Sequence, residues 1–197
     1  MSFTDSDDDF DPDDLPPTLI AVARFARSLP SIPWFAGLGM PLDAVAWDSA
    51  QAYLDALGFP DARMAEVTDW EEAAEAARNP EWNSAGWEAE EQLRAALSVR
   101  AVEIAGDEEA VLMALTHVTG TASDAVHRAA GTAASRFGVH DEALVRLAAG
   151  AAVQCAYQAA LVLAAADDED HAFAHKFRLF EAGRWPLGIT GATLNIF

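Results

Sequence analysis

Residues 144–166 read LVRLAAGAAVQCAYQAALVLAAA, which places alanine, valine or leucine on almost every side of a helix. After Arg146, the only strongly polar side chains in this segment are Gln154 and Gln158. A helix that is apolar all round belongs in a protein core or in a membrane. Alanine supplies most of the length, the two glutamines lie near the middle, and no basic cluster flanks the segment, so the sequence favours a buried helix. We therefore predict that residues 141–166 form the central helix of the fold.

The rest of the chain predicts an all-α fold, a single-domain bundle of about six to eight helices around this alanine-rich helix. Hydrophobic residues make up 52 % of the sequence, enough to bury a substantial core. Apolar residues at helical spacing, capping residues and glycine or proline stops mark the helices. The predicted helices cover residues 16–29, 43–57, 68–79, 84–105, 107–119, 121–137, 141–166 and 170–182.

Several boundaries and buried faces follow from these patterns. We expect Gly120 to interrupt or restart the helix that begins at Asp107, because glycine disfavours a helix interior. The alanine-rich segments 122–137 and 141–166 should form a closely packed antiparallel pair across a short glycine turn. The residues expected on buried faces include Val45, Trp87, Leu93, Ala96, Leu97, Val99, Ile104, Val111, Leu112, Leu115 and Val118.

The two ends of the chain contrast in composition. Residues 1–14 carry seven aspartates and no base, which predicts a disordered acidic tail ahead of one helical domain at 15–197. At the other end, Trp185 and Pro186 follow Gly183, and the chain stays apolar through Phe197. Pro186 favours an extended conformation at Trp185. We therefore predict a docked strand or extended strap across the bundle.

The charge balance excludes some partners and favours others. The net charge is −20, from 32 acidic and 12 basic residues, which disfavours nucleic acid. No secretory signal pattern is visible, and the single cysteine, Cys155, lies inside the apolar helix, so we expect a cytoplasmic protein without membrane contact.

Eleven of the twelve basic residues are arginine, which with the abundant alanine is typical of a GC-rich bacterial genome. The sequence is compatible with either a monomer or a homo-oligomer.

The histidines offer one candidate metal site. His171 and His175 are four residues apart and share a helix face, with Asp168 one turn earlier. Folding the last helix back along the bundle could bring His117 to the same height, as in helical bundles that bind a divalent metal such as zinc or iron. A solvated or locally hydrogen-bonded polar face explains the same pair without a metal or any other cofactor. Asp124 and His127 form a similar pair that we interpret as surface residues.

The sequence is compatible with three kinds of function. No glycine-flanked nucleophile, phosphate-binding loop or cysteine pair is present, so the leading interpretation is a non-enzymatic protein-interaction or inhibitor/immunity-type module. Its partner would be a basic protein, because opposite charge steers association. The first alternative is a metal-binding bundle, enzyme or carrier, that uses His171 and His175. The second is a small-molecule binder with a pocket near Trp185.

Overall fold

The computed structural model of the protein describes residues 16–78 and 84–197. Helix makes up 68 % of it, which confirms the predicted bundle. The helices are α1 (Pro17–Ser28), α2 (Ala44–Leu57), α3 (Trp70–Arg78), α4 (Ala85–Ala105), α5 (Glu108–Arg136), α6 (Glu142–Ala164) and α7 (Ala172–Glu181), and the strands are β1 (Arg63–Glu66), β2 (Pro186–Thr190) and β3 (Thr193–Ile196). The predicted tail at 1–14 and the predicted end of the third helix at Asn79 and Pro80 lie outside the described residues.

The helix α6 forms the centre of the bundle, as its composition predicts. Its first turn is capped by Asp141, whose carboxylate accepts hydrogen bonds from the backbone of residues 143 and 144. Ala148, Ala152, Ala156 and Ala160 are fully buried at four-residue spacing, and α6 packs against α1, α4, α5 and α7. Among the described helices, α6 is long and apolar enough to cross a membrane, but 61 % of its apolar window is buried inside the fold. The apolar surface of α6 is thus covered largely by protein.

The long helix α5 corrects one prediction. It runs without interruption from Glu108 to Arg136, so the expected break at Gly120 is wrong. Glycine costs about 1 kcal/mol relative to alanine inside a helix, whereas Val118, Ala122 and Val126 around it are all fully buried. Burial of the flanking residues outweighs that local cost. The predicted pair of alanine-rich helices is present, because α5 packs against α6 across the short connection that contains Gly138.

The buried faces of the outer helices were only partly predicted. In α4, Leu97 and Ala101 are buried at four-residue spacing, and the structure leaves the other large apolar residues partly or largely exposed. The large side chains wrongly assigned to the core are Val45, Trp87, Val99, Ile104 and Leu112, which are 66, 39, 61, 41 and 64 % exposed. A helix on the outside of a bundle buries only one stripe of its surface, so apolar residues elsewhere around its circumference can face solvent.

The C-terminal segment is docked, as predicted, but as part of a small sheet. The strands β2 and β3 form an antiparallel hairpin, and β1 adds to β3 in parallel, giving the order β1-β3-β2. Trp185 and Phe197 exchange backbone hydrogen bonds at the base of the hairpin. These two residues, Leu194 and Ile196 are at most 1 % exposed. The predicted helical bundle with a C-terminal strap did not include β1, whose four residues have no strong strand pattern.

A buried arginine ties the C-terminal segment to the loop before α2. Arg184 is 5 % exposed, and its guanidinium donates to the carbonyl oxygens of Gly37, Met40 and Pro41, the last at 2.6 Å. The preceding Gly183 has φ +76°, and a Cβ there would lie 2.6 Å from the backbone nitrogen of Gly37. Only glycine therefore fits this close crossing of two backbones.

Candidate functional site

The two histidines of the candidate metal site both serve local hydrogen bonds. His171 caps α7, because its Nδ1 accepts from the backbone N–H of Phe173 at 3.1 Å. His175 is 6 % exposed, and Nη1 of Arg178 lies 2.9 Å from its Nδ1. Guanidinium can only donate, so Nδ1 of His175 is the unprotonated ring nitrogen. The predicted polar face of α7 is thus hydrogen-bonded within the protein.

The charge state of the pair follows from its surroundings. Burial lowers the pKa of His171 below its usual value, more strongly than the nearby aspartates raise it. Burial, followed by the charge of Arg178, lowers the pKa of His175. Both imidazoles are therefore neutral at pH 7, each with its Nδ1 occupied as an acceptor, and Nε2 of His175 faces Asp170, whose Oδ1 lies 4.0 Å away.

The other candidate ligands do not join the pair in one cluster. Asp168 accepts a hydrogen bond from the backbone N–H of Asp170. His117 lies on the exposed face of α5, in a depression lined by α5 residues alone. Within residues 16–78 and 84–197, no group of three or more His, Cys, Asp or Glu side chains is arranged to hold a metal ion. Asp124 and His127 are both exposed on α5, as predicted.

The structure contains a polar network that sequence reasoning missed. The Glu90 carboxylate accepts from Lys176 Nζ at 2.6 Å and from the Tyr53 hydroxyl through Oε1, and from Gln158 Nε2 at 3.2 Å through Oε2. These four side chains come from α4, α7, α2 and α6, so one carboxylate joins four helices. The charged side chains of Glu90 and Lys176 are only 19 and 15 % exposed. A polar residue in an otherwise apolar helix needs a partner, so Gln158 was the signal that could have pointed to it.

The network is electrostatically closed at neutral pH. Burial raises the pKa of Glu90, but the charge and hydrogen bond of Lys176 and the hydrogen bonds from Tyr53 and Gln158 together lower it by more, so the net shift is downward. Burial lowers the pKa of Lys176, and Glu90 more than reverses that effect. Burial and the adjacent Glu90 raise the pKa of the Tyr53 phenol well above its usual value. The nearby Cys155 is fully buried, which raises its pKa to about 12. The group therefore offers an ion pair and a neutral thiol, with no activated nucleophile.

A small cavity of about 170 Å³ lies beside this network and touches the C-terminal hairpin. Its lining includes Tyr53, Glu90 and Lys176, the first turn of α4 and the strand β2. The predicted pocket near Trp185 is not built from that ring, which is 1 % exposed and packs against Phe35 and Trp70. Because its charges are already paired internally, the network is best described as a structural cross-link.

The outer face of α5 is the clearest exposed apolar surface. Leu112 and Met113 are 64 and 56 % exposed, and they line one shallow depression with Thr116, His117 and Gly120. A Cβ at Gly120 would meet no atom within 4 Å, so the surface there is open. We call this surface, residues 108–124 on the solvent side of α5, the outer α5 face. A contiguous exposed apolar patch rimmed by polar residues is a candidate protein-interaction site.

Comparisons with known proteins give no relative from which a function could be transferred. No family model matches the chain, and neither a curated protein nor a solved structure is significantly similar to it. The function is therefore argued from the residues of this chain alone.

Proposed function

We propose that this protein is a non-enzymatic interaction module that binds a basic amphipathic helix of another protein on the outer α5 face. The observation that carries the proposal is the exposure of Leu112 and Met113 beside two carboxylates. Glu108 and Glu109 each lie four residues before one of these apolar side chains, and residues four apart are neighbours on a helix. The face therefore combines apolar anchors with negative charge at one end.

The dimensions of the face suit a helical partner. From Glu109 to Asp124, α5 rises about 22 Å at 1.5 Å per residue, which matches about four turns of a second helix. Beyond Leu112 and Met113, the face continues with Thr116 and Gly120, whose small size allows close approach of another backbone. An amphipathic helix that lays its apolar side into such a surface is a common mode of peptide recognition.

Charge determines which partner is favoured. The net charge of −20 repels a second copy of the chain and attracts a basic protein, whose association it would accelerate at low ionic strength. Two further exposed carboxylates lie in the chain just before the first turn of α5: Glu103 near the end of α4, and Asp107, which caps α5. We expect the complex to form in the bacterial cytoplasm, in agreement with the buried, unpaired Cys155.

The test uses a defined peptide rather than an unknown partner. An 18-residue amphipathic helix of leucine and lysine, labelled with fluorescein, is titrated with the protein in an anisotropy assay. We expect saturable binding that weakens at least about tenfold in the Leu112→Gln/Met113→Gln variant, because two exposed anchors are lost. The matched control is Met40→Gln/Val45→Gln, which removes two equally exposed apolar side chains elsewhere, at 60 and 66 % exposure. It should bind as the unchanged protein does.

A second pair of variants separates local from overall charge. Glu108→Gln/Glu109→Gln should weaken binding and reduce its salt dependence, whereas Glu71→Gln/Glu75→Gln, an equal charge change on α3, should have little effect. Equal loss in both pairs would mean that the peptide senses only net charge, and the proposed surface would be wrong. Sedimentation as a dimer that becomes monomeric in Leu112→Gln/Met113→Gln would also overturn it, since the occupant would then be a second copy.

A further inference from the structure

A groove of about 430 Å³ lies between the loop after α1 and the second half of α5. Two arginines of α5, Arg128 and Arg136, line it together with Thr132. The rest of the lining is mostly apolar and comes from Pro30, Ile32, Trp34, Phe35, Ala36, Ala125, Ala129 and Ala133. We call this the arginine groove. It is separate from the outer α5 face, which occupies the first half of the helix.

The two arginines lack carboxylate partners in a very acidic protein. Within the part of the chain that the structure describes, neither Arg128 nor Arg136 forms an ion pair. The arginines that do are Arg78, Arg94, Arg100, Arg146 and Arg178. Other arginines of the described residues also lack an ion pair, so what distinguishes Arg128 and Arg136 is that both line one groove. Their charge is available to a ligand.

Backbone contacts orient both guanidinium groups. Arg128 Nε donates to the carbonyl oxygen of Asp124 at 3.1 Å, and Arg136 Nη2 donates to that of Phe35 at 3.1 Å. Each guanidinium has five N–H donors, so one anchoring bond leaves most of them for a ligand. The two arginines are eight residues apart and Thr132 lies midway, which puts all three on one side of α5, with the arginines about 12 Å apart along the axis. Anchored side chains lose less freedom on binding than mobile ones.

We propose that the arginine groove binds a small organic oxyanion, with a carboxylate or phosphate group at the arginines and an apolar body against the groove floor. The planar fork of guanidinium matches the oxygens of both groups in bidentate geometry. Trp34 also lines the groove; it is 4 % exposed, and its Nε1 donates to the Leu29 carbonyl at 3.0 Å. The groove volume lies within the roughly 300–1,000 Å³ typical of small-molecule sites.

Isothermal titration calorimetry of the full chain tests this site with two aromatic probes. The probes are 2-naphthoate and 1-naphthyl phosphate, with uncharged 2-naphthylmethanol for comparison. We expect both anions to bind in a saturable way, and the affinity to fall at least about tenfold in Arg128→Gln/Arg136→Gln. The control Arg24→Gln/Arg27→Gln removes the same charge from two exposed arginines of α1 and should leave binding unchanged. Thermal melting of each variant confirms that it is folded.

The source of the oxyanion is distinguished by a further variant. The aspartates of residues 1–14 carry the same carboxylate chemistry, so a full chain with those seven replaced by asparagine is titrated in parallel. Binding only in that variant would assign the carboxylate to the chain's own N-terminal segment, whereas equal binding in both would assign it to an external ligand. Three results would overturn the proposal: no anion binding in either chain, equal affinity for 2-naphthylmethanol, or equal loss in the α1 control.

Discussion

Replacing Lys176 with methionine tests the cross-link formed by the Glu90 network. The substitution keeps the length of the side chain and removes the ammonium that lies 2.6 Å from Glu90 Oε1. Breaking one partner of a buried ion pair typically costs 3–5 kcal/mol, because the remaining charge is left uncompensated. Tyr53 and Gln158 still donate to Glu90, so we expect a loss near the lower end, about 3 kcal/mol. That is a large part of a typical total stability of 5–15 kcal/mol.

The pH dependence of the variant identifies the cause of the loss. In the unchanged protein the pKa of Glu90 is lowered, so its contribution is present above the unfolded-state pKa and is lost as the pH falls through the folded-state value. Without Lys176, we expect burial, the largest single influence on Glu90, to outweigh the hydrogen bonds from Tyr53 and Gln158 and to raise that pKa. The Lys176→Met variant should therefore regain stability, relative to the unchanged protein, as the pH is lowered from 7 to 5. Urea unfolding at both pH values, followed by circular dichroism, measures the difference.

A double substitution serves as the control. Glu90→Gln/Lys176→Met removes both charges. The amide oxygen can still accept from Gln158, and the amide N–H can donate to the Tyr53 hydroxyl oxygen, so the variant should recover most of the lost stability. A single-variant loss below about 1 kcal/mol, in the range of an exposed pair, would refute the reasoning. So would a double variant that is as unstable as the single one, because the loss would then come from packing.

The remaining predictions concern the hairpin, its glycine crossing and α7. Gly183→Ala should cost about 2–4 kcal/mol, since it adds both left-handed strain and a 2.6 Å contact with Gly37; Gly138→Ala, with a similar φ of +69° but no atom within 4 Å, should cost only about 1 kcal/mol in the same urea assay. Deleting residues 194–197 should cost more than about 4 kcal/mol, from three buried side chains at about 1.5–3 kcal/mol each, and an unchanged denaturation midpoint would contradict a structural role. The fold lowers the pKa of His171, so the unfolded state takes up a proton at a higher pH than the folded state does, and stability should fall from pH 7 to pH 5. His171→Asn keeps a capping acceptor without this titration and should show a smaller fall in the same urea assay.

The sequence was sufficient where a single local signal determined the structure. The sequence predicts helix starts at Asp43, Ser84 and Asp107, and each of these side chains accepts a backbone hydrogen bond from the first turn of α2, α4 or α5. The apolar run of α6 likewise had only one physical interpretation once a membrane span was disfavoured. These features depend on residues a few positions apart, which a sequence displays directly.

The features that were missed depend on residues far apart in the chain. The strand β1 exists because β3, about 130 residues later, supplies its hydrogen bonds. The Glu90 network unites side chains from four helices, and only Gln158, a polar residue in an otherwise apolar helix, is distinctive in the sequence. The exposure of Leu112 could not be predicted for a related reason: Val111 and Leu115 face the core, and only the packing of α5 shows that the adjacent side chain does not.

The same packing explains why the candidate binding surfaces both lie on α5. Val118, Ala122, Val126 and Ala130 are fully buried along its inner side, which fixes the rotation of the helix over most of its length. The side chains on its outer side do not fill the core and mainly need to keep the protein soluble, a role for which charged residues are best suited. The outer side instead carries exposed Leu112 and Met113 in its first half, and α5 carries arginines without acid partners in its second half. Exposed Leu112 and Met113 add nothing to the buried core, and Arg128 and Arg136 each use only one donor for a backbone bond, so each feature suits the binding role that we propose for it.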